Sequence, residues 1–128
     1  LICLIGLLGC AEPKPNTVMG RLPNHSWHGP IGEASYSAAG LVTVDLGSHT
    51  QLTTTTCFKD AKTRIGIASN DARVAAEEDG TEVVAIEGAL EIQDCSPQHL
   101  KATMWARFAN GGRVEASINK YLKEANSP

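Results

Sequence analysis

No stretch of this sequence is apolar for long enough to cross a bilayer as a helix. The longest uncharged apolar run, LICLIGLLGC from Leu1 to Cys10, is half the roughly twenty residues that a spanning helix needs. Positive charge is not concentrated anywhere: with 11 Lys and Arg against 14 Asp and Glu the net charge is −3, so phosphate neutralisation has no basic stripe to work with. A nucleic-acid partner is therefore excluded. The chain also lacks a CxxC pair, a GxSxG elbow, an HExxH helix and a phosphate-cradling glycine loop. It has no repeat of 20 to 50 residues and no apolar stripe at helical spacing over three turns.

What is present is period-two alternation in short runs separated by Gly, Asn and Asp. Such runs predict strands over 41–46, 52–58, 63–68, 73–77, 82–93, 100–109 and 113–119. Asp79-Gly80 and Asn110-Gly111-Gly112 accept positive φ and so predict hairpin turns. Parity assigns an inward face: Val42, Val44 and Leu46; Val84, Ile86, Leu90 and Ile92; Met104 and Phe108; Val114, Ala116 and Ile118. Gly88, midway along the longest run, marks a bend or bulge. The 128 residues suffice for one core. The expected fold is all-β, an antiparallel β-sandwich of about 7–8 strands.

The N-terminal run has the length of the apolar part of a secretory signal, about 7 to 15 residues, with small Gly9 before a possible cut. It carries no initiator Met and no basic leader, so the start of the precursor is expected upstream. Leu7-Leu8-Gly9-Cys10 resembles the lipobox of bacterial lipoprotein precursors. The resemblance implies that the chain is cut after Gly9 and that the Cys10 thiol carries a diacylglycerol, with acylation of the freed amine. The alternatives are an ordinary cleaved signal or a buried N-terminal strand. Glu12-Pro13-Lys14-Pro15-Asn16, followed by Gly20 and Pro23, suits a tether, because proline fixes φ and removes backbone donors. About sixteen residues at ~3 Å each would hold a domain some tens of Å from a membrane. Two or more acyl chains make such an anchor effectively permanent. By family analogy Ala11 directs the product to the outer membrane.

The resulting division is a signal remnant over 1–9, a lipidated Cys10 with a tether over 10–26, a β-sandwich over 27–122 and a tail over 123–128. With Cys3 in the signal and Cys10 lipidated, Cys57 and Cys95 remain as an even pair in an exported domain. They are expected to form a disulfide contributing ~3 to 4 kcal/mol on the chain-entropy model, with a metal or redox site as the alternative.

Five constellations invite chemistry. In Asn24-His25-Ser26-Trp27-His28 two imidazoles flank an indole, but no carboxylate or thiol nearby completes a metal shell; His49 and His99 could join only through the fold. Trp27 better suits one end of the sandwich, with its N–H bonded. Thr53-Thr54-Thr55-Thr56 reads as an edge or half-buried strand. Glu77-Glu78-Asp79 reads as a solvated hairpin tip, and Ser117-Ile118-Asn119-Lys120 matches S-x-x-K only as a string.

The fifth is the strand around Leu100–Phe108, whose even positions point inward. Trp105 then faces outward with Lys101, Thr103 and Arg107. Either the Lys101 and Arg107 stems or a second sheet cover the indole, or it anchors a partner, since Trp and Arg dominate interface energetics. The expected function is a lipid-anchored cell-envelope binding or structural module without catalytic activity. Trp105, Arg107 and Lys101 would meet a protein or glycan of the envelope. No cofactor and no metal are expected; the alternative is a small hydrolase or metal-dependent enzyme using the histidines.

Overall fold

A computed structural model describes residues 16–37, 40–54, 63–68, 71–96 and 99–124. The fold is all-β, with no helix among the described residues. Eleven strands follow one another: β1 (Thr17–Leu22), β2 (His25–Pro30), β3 (Ala34–Tyr36), β4 (Val42–Gly47), β5 (Thr50–Thr54), β6 (Thr63–Gly66), β7 (Ala72–Glu78), β8 (Thr81–Ser96), β9 (His99–Phe108), β10 (Arg113–Tyr121) and β11 (Lys123–Glu124).

Hydrogen bonding joins them into one sheet, in the order β11-β3-β4-β5-β7-β8-β9-β10-β1-β2, with β6 paired to β8 off this path. This replaces the two separate sheets expected. The sixteen-residue β8 is the reason: its first part pairs with β7, and its later part pairs with β6 on one side while β9 runs along the other. Every pairing is antiparallel except β11 with β3.

One face of the sheet is buried along almost the whole path. Val42, Val44 and Leu46, Leu52, Val74, Leu90 and Ile92, Leu100, Phe108, Val114 and Ile118 are all essentially inaccessible. Aliphatic burial on this scale is the main favourable term of the fold, at about 25 cal/mol per Å² removed from water. The sheet also meets itself: Trp27 in β2 donates its indole N–H to the Leu46 carbonyl of β4 at 3.0 Å. The two strands are far apart in the sheet order, so the shared core lies between them.

Parity fails within β8. Val84 is half-buried and Ile86 is 49% exposed, whereas Ala85 is buried. The ladder to β9 skips a residue between Ala85 and Glu87, so Ile86 is an extra residue and the faces exchange there. Gly88 lies just beyond, opposite Ala106; a Cβ on it would stand 2.2 Å from the Trp105 carbonyl oxygen. Glycine is thus required for close approach of β9. A second skip, between Ile92 and Asp94, makes Gln93 the extra residue near the far end.

The sheet begins at Thr17, not at Trp27. The segment assigned to the tether forms the β1–β2 hairpin, in which Val18, Gly20 and Leu22 face the core while Met19 and Arg21 face out. The chain enters through Asn16, whose carbonyl accepts from the Ile31 N–H at 2.8 Å and whose side-chain oxygen accepts from the Asn119 N–H at 2.7 Å. The hairpin tip is tied as well. Asn24 donates its backbone N–H to Glu78 at 3.0 Å and its side-chain amide to Asp79 at 2.8 Å, so the acidic β7–β8 tip holds a neighbouring turn.

Asp79 (φ 55°) and Gly80 (φ 79°) make the expected turn, as does Gly111 (φ 93°). Ser48 and His49, both at positive φ, make another between β4 and β5. β5 is flanked by β4 and β7, so its threonines do not form an edge; Thr54 is wholly buried, and Thr55 and Thr56 lie outside the described residues.

Candidate functional site

The outer face of the sheet over β2, β1, β10, β9 and β8 carries the candidate side chains, and the register fixes who stands beside whom. One cross-strand row reads Ser26, Arg21, Arg113, Arg107, Glu87; the next reads His28, Met19, Glu115, Trp105, Ala89. Side chains opposite one another across adjacent strands interact directly. Three arginines therefore stand abreast on β1, β10 and β9.

Like charges in such positions repel unless compensated. Arg107 donates from Nε to Glu87 at 3.1 Å, and Arg113 donates from Nε to Glu115 at 2.8 Å. The Arg107 hydrogen bond, reinforced by its charge and more weakly by that of Arg113, holds the Glu87 carboxyl below the usual carboxylate range; Glu87 in turn raises Arg107. Arg21 is exposed and makes no ion pair with any described residue.

Trp105 does face outward, with Lys101, Thr103 and Arg107 on the same side of β9. It is half-buried. The cation over it is Arg113, whose guanidinium carbon lies 5.0 Å from the ring centroid, in place of the Lys101 and Arg107 stems. Ala89, opposite the indole, is buried yet separate from the main core, so the tryptophan has an apolar neighbour on its own face. Lys101 is exposed, in register with Asn119 and Asp94.

A groove of about 570 Å³ runs over the first two rows, lined by Met19, Arg21, Ser26, His28, Arg113 and Glu115. Met19 is 60% exposed beside it. Sequence reasoning did not reach Arg21 or Met19, because Gly20 and Pro23 suggested a tether; Arg113 was placed on a strand, 113–119, but not at the site. The alternation Val18, Gly20, Leu22 was the available signal for β1.

The histidines occupy different settings. His25 and His28 are three apart on one strand and so point to opposite faces. His25 stacks on Trp27 with centroids 5.3 Å apart and shares a 2.7 Å hydrogen bond with Ser48, while His28 is exposed beside the groove. His49 is in the β4–β5 turn, and His99 lies 2.6 Å from Asn119 Oδ1 and against Tyr121. Among the described residues no three His, Cys, Asp or Glu side chains gather in a way that could hold a metal ion. Trp27 packs its ring on Gly20 and against the core, a structural placement. Ser117 sits inside β10 rather than at the start of a helix. Cys10 and Cys57 lie outside the described residues, and of Cys95 only the backbone pairing with Leu100 is described.

Compared with protein-family models, curated proteins and solved structures, the chain matches none.

Proposed function

We propose that this chain is a lipid-anchored binding module of the bacterial cell envelope, without catalytic activity. Cys10 carries the acyl chains, and Ala11 favours the outer membrane. Residues 11–15 are the tether of this reading, and five residues span at most about 18 Å. Cys57 and Cys95 form a disulfide within the domain, whose sheet folds over on itself in the layered manner of a sandwich. The outer face bearing Trp105, Arg107 and Lys101 meets an envelope protein or glycan.

The observation that carries this reading is the row of three arginines across β1, β10 and β9 with Trp105 beneath Arg113. A tryptophan and several arginines on an exposed sheet face are the residue types that dominate interface energetics. They add little to a core from there.

Two measurements test it. Intact mass of the protein from its own host should show acylated Cys10; a free thiol there removes the anchor. A photo-crosslinking residue at Lys101 should give a discrete adduct in living cells, and the same residue at exposed Gln51, on β5, should not. Equal labelling from both positions, or none from Lys101, would overturn the binding face.

A further inference from the structure

We infer that the groove over β2, β1 and β10 binds an acidic glycan, a polyhydroxylated ligand with spaced carboxylate groups. This rests on the binding-module reading and narrows it to a ligand class.

Six of the side chains that line the groove, Trp27 aside, form a grid of two rows on three adjacent strands. Ser26, Arg21 and Arg113 make one row, and His28, Met19 and Glu115 make the other. Strands lie about 4.8 Å apart, so Arg21 stands beside Arg113, whose guanidinium lies over Trp105 and bonds Glu115 through Nε; Arg21 offers its whole fork to a small anion and Arg113 the neighbouring charge. In the absence of a ligand these two like charges oppose each other, and only Arg113 has a carboxylate, Glu115, beside it. A carboxylate bound between them relieves that repulsion. It also gives Arg21 the partner that no described residue supplies. Arginine suits this place better than lysine because its planar fork grips a carboxylate with two parallel bonds.

The second row sets the rest of the ligand. Glu115 accepts hydrogen bonds, Ser26 and His28 both donate and accept, and Met19 gives an exposed apolar surface. Hydroxyl groups around an apolar ring face match that combination. A densely charged partner does not, because Glu115 and Glu87 stand among the arginines and Glu91 shares their face. An anionic bilayer is disfavoured on the same ground. An acidic peptide would dock on a sheet most readily by adding a strand; β1 and β10 are paired on both sides, so it could do so only along β2, the last strand of the sheet path, and polyglutamate tests that route.

The test is calorimetric titration of the full chain with oligogalacturonate. Neutral dextran, polyglutamate and phosphatidylglycerol vesicles serve as comparators. Oligogalacturonate should bind and weaken as salt is raised, and Arg21→Ala or Arg113→Ala should each lower affinity at least tenfold. Arg73→Ala, on the far side of the sheet path and paired with Glu82, should change it less than twofold. Circular dichroism must show each variant folded; Arg21→Lys, which keeps charge but not the fork, should lose most of the affinity too. Equal binding of dextran, polyglutamate or vesicles, or indifference to Arg21, overturns the inference. If oligogalacturonate fails while Lys101 still crosslinks in cells, the ligand class is wrong and the binding module stands. If both fail, both fall.

Discussion

The indole N–H of Trp27 and the carbonyl of Leu46 are joined at 3.0 Å, although six strands separate β2 from β4 in the sheet order. Replacing Trp27 by Phe keeps most of the apolar body and removes the bond, an expected loss of about 1 kcal/mol. Ala should lose more, about 2 to 3 kcal/mol, since the ring is half-buried against the core. Gly20→Ala should act through the same pair, because its Cβ would fall 2.4 Å from the Trp27 ring. Urea unfolding of the three variants checks the ranking. If Trp27→Ala leaves the midpoint unchanged, the tryptophan does not close the sheet.

Thr54 is wholly buried in β5, and its hydroxyl has no hydrogen-bond partner among the described residues. Valine has nearly the same shape and nothing to desolvate. Thr54→Val should therefore stabilise the protein, by about 1 kcal/mol, while Thr54→Ala should destabilise it by opening space. Thermal melts of the pair decide between an unsatisfied hydroxyl and a bonded one, for which Val would also destabilise.

Glu87 titrates below an ordinary glutamate because Arg107 hydrogen-bonds its charged form. The sign follows from linkage: a carboxyl lowered in the folded state contributes stability above its unfolded pKa, and that contribution vanishes as pH falls through the lowered value. Both groups are exposed, so the effect on stability is small. An NMR titration should place Glu87 below the exposed glutamates, and Arg107→Ala should return it to their range. No movement in that variant would mean that the pair does not form in solution.

Much of the fold was legible because alternation is a local signal: β4, β7, β9 and β10 fall within a residue or two of the runs that announced them. Three things were not. Gly88 announced a bulge in β8, but not that Ile86 is the extra residue, and nothing in composition marks the second at Gln93, since a bulge shifts pairing and not residue type. Ser48-His49 turns at positive φ with neither Gly nor Asn in its two central places, a conformation imposed by the strands it joins. The β1–β2 hairpin was hidden by Gly20, which looks like a linker residue and in fact makes room for Trp27. The candidate site suffered most from this last error. Trp105, Lys101 and Arg107 were placed on the correct face, but Arg21 sits on the strand assigned to the tether, and the groove needs it.

β1 has a mechanical meaning beyond its place in the register. Whatever holds the polypeptide ahead of Thr17 pulls on a strand that is bonded to β10 on one side and β2 on the other, entered through the two bonds at Asn16. Tension along that strand loads both ladders in shear, many bonds sharing the force at once, whereas an edge strand can be peeled one bond at a time. A domain held through its first strand would thus resist a pull along that strand with many bonds at once.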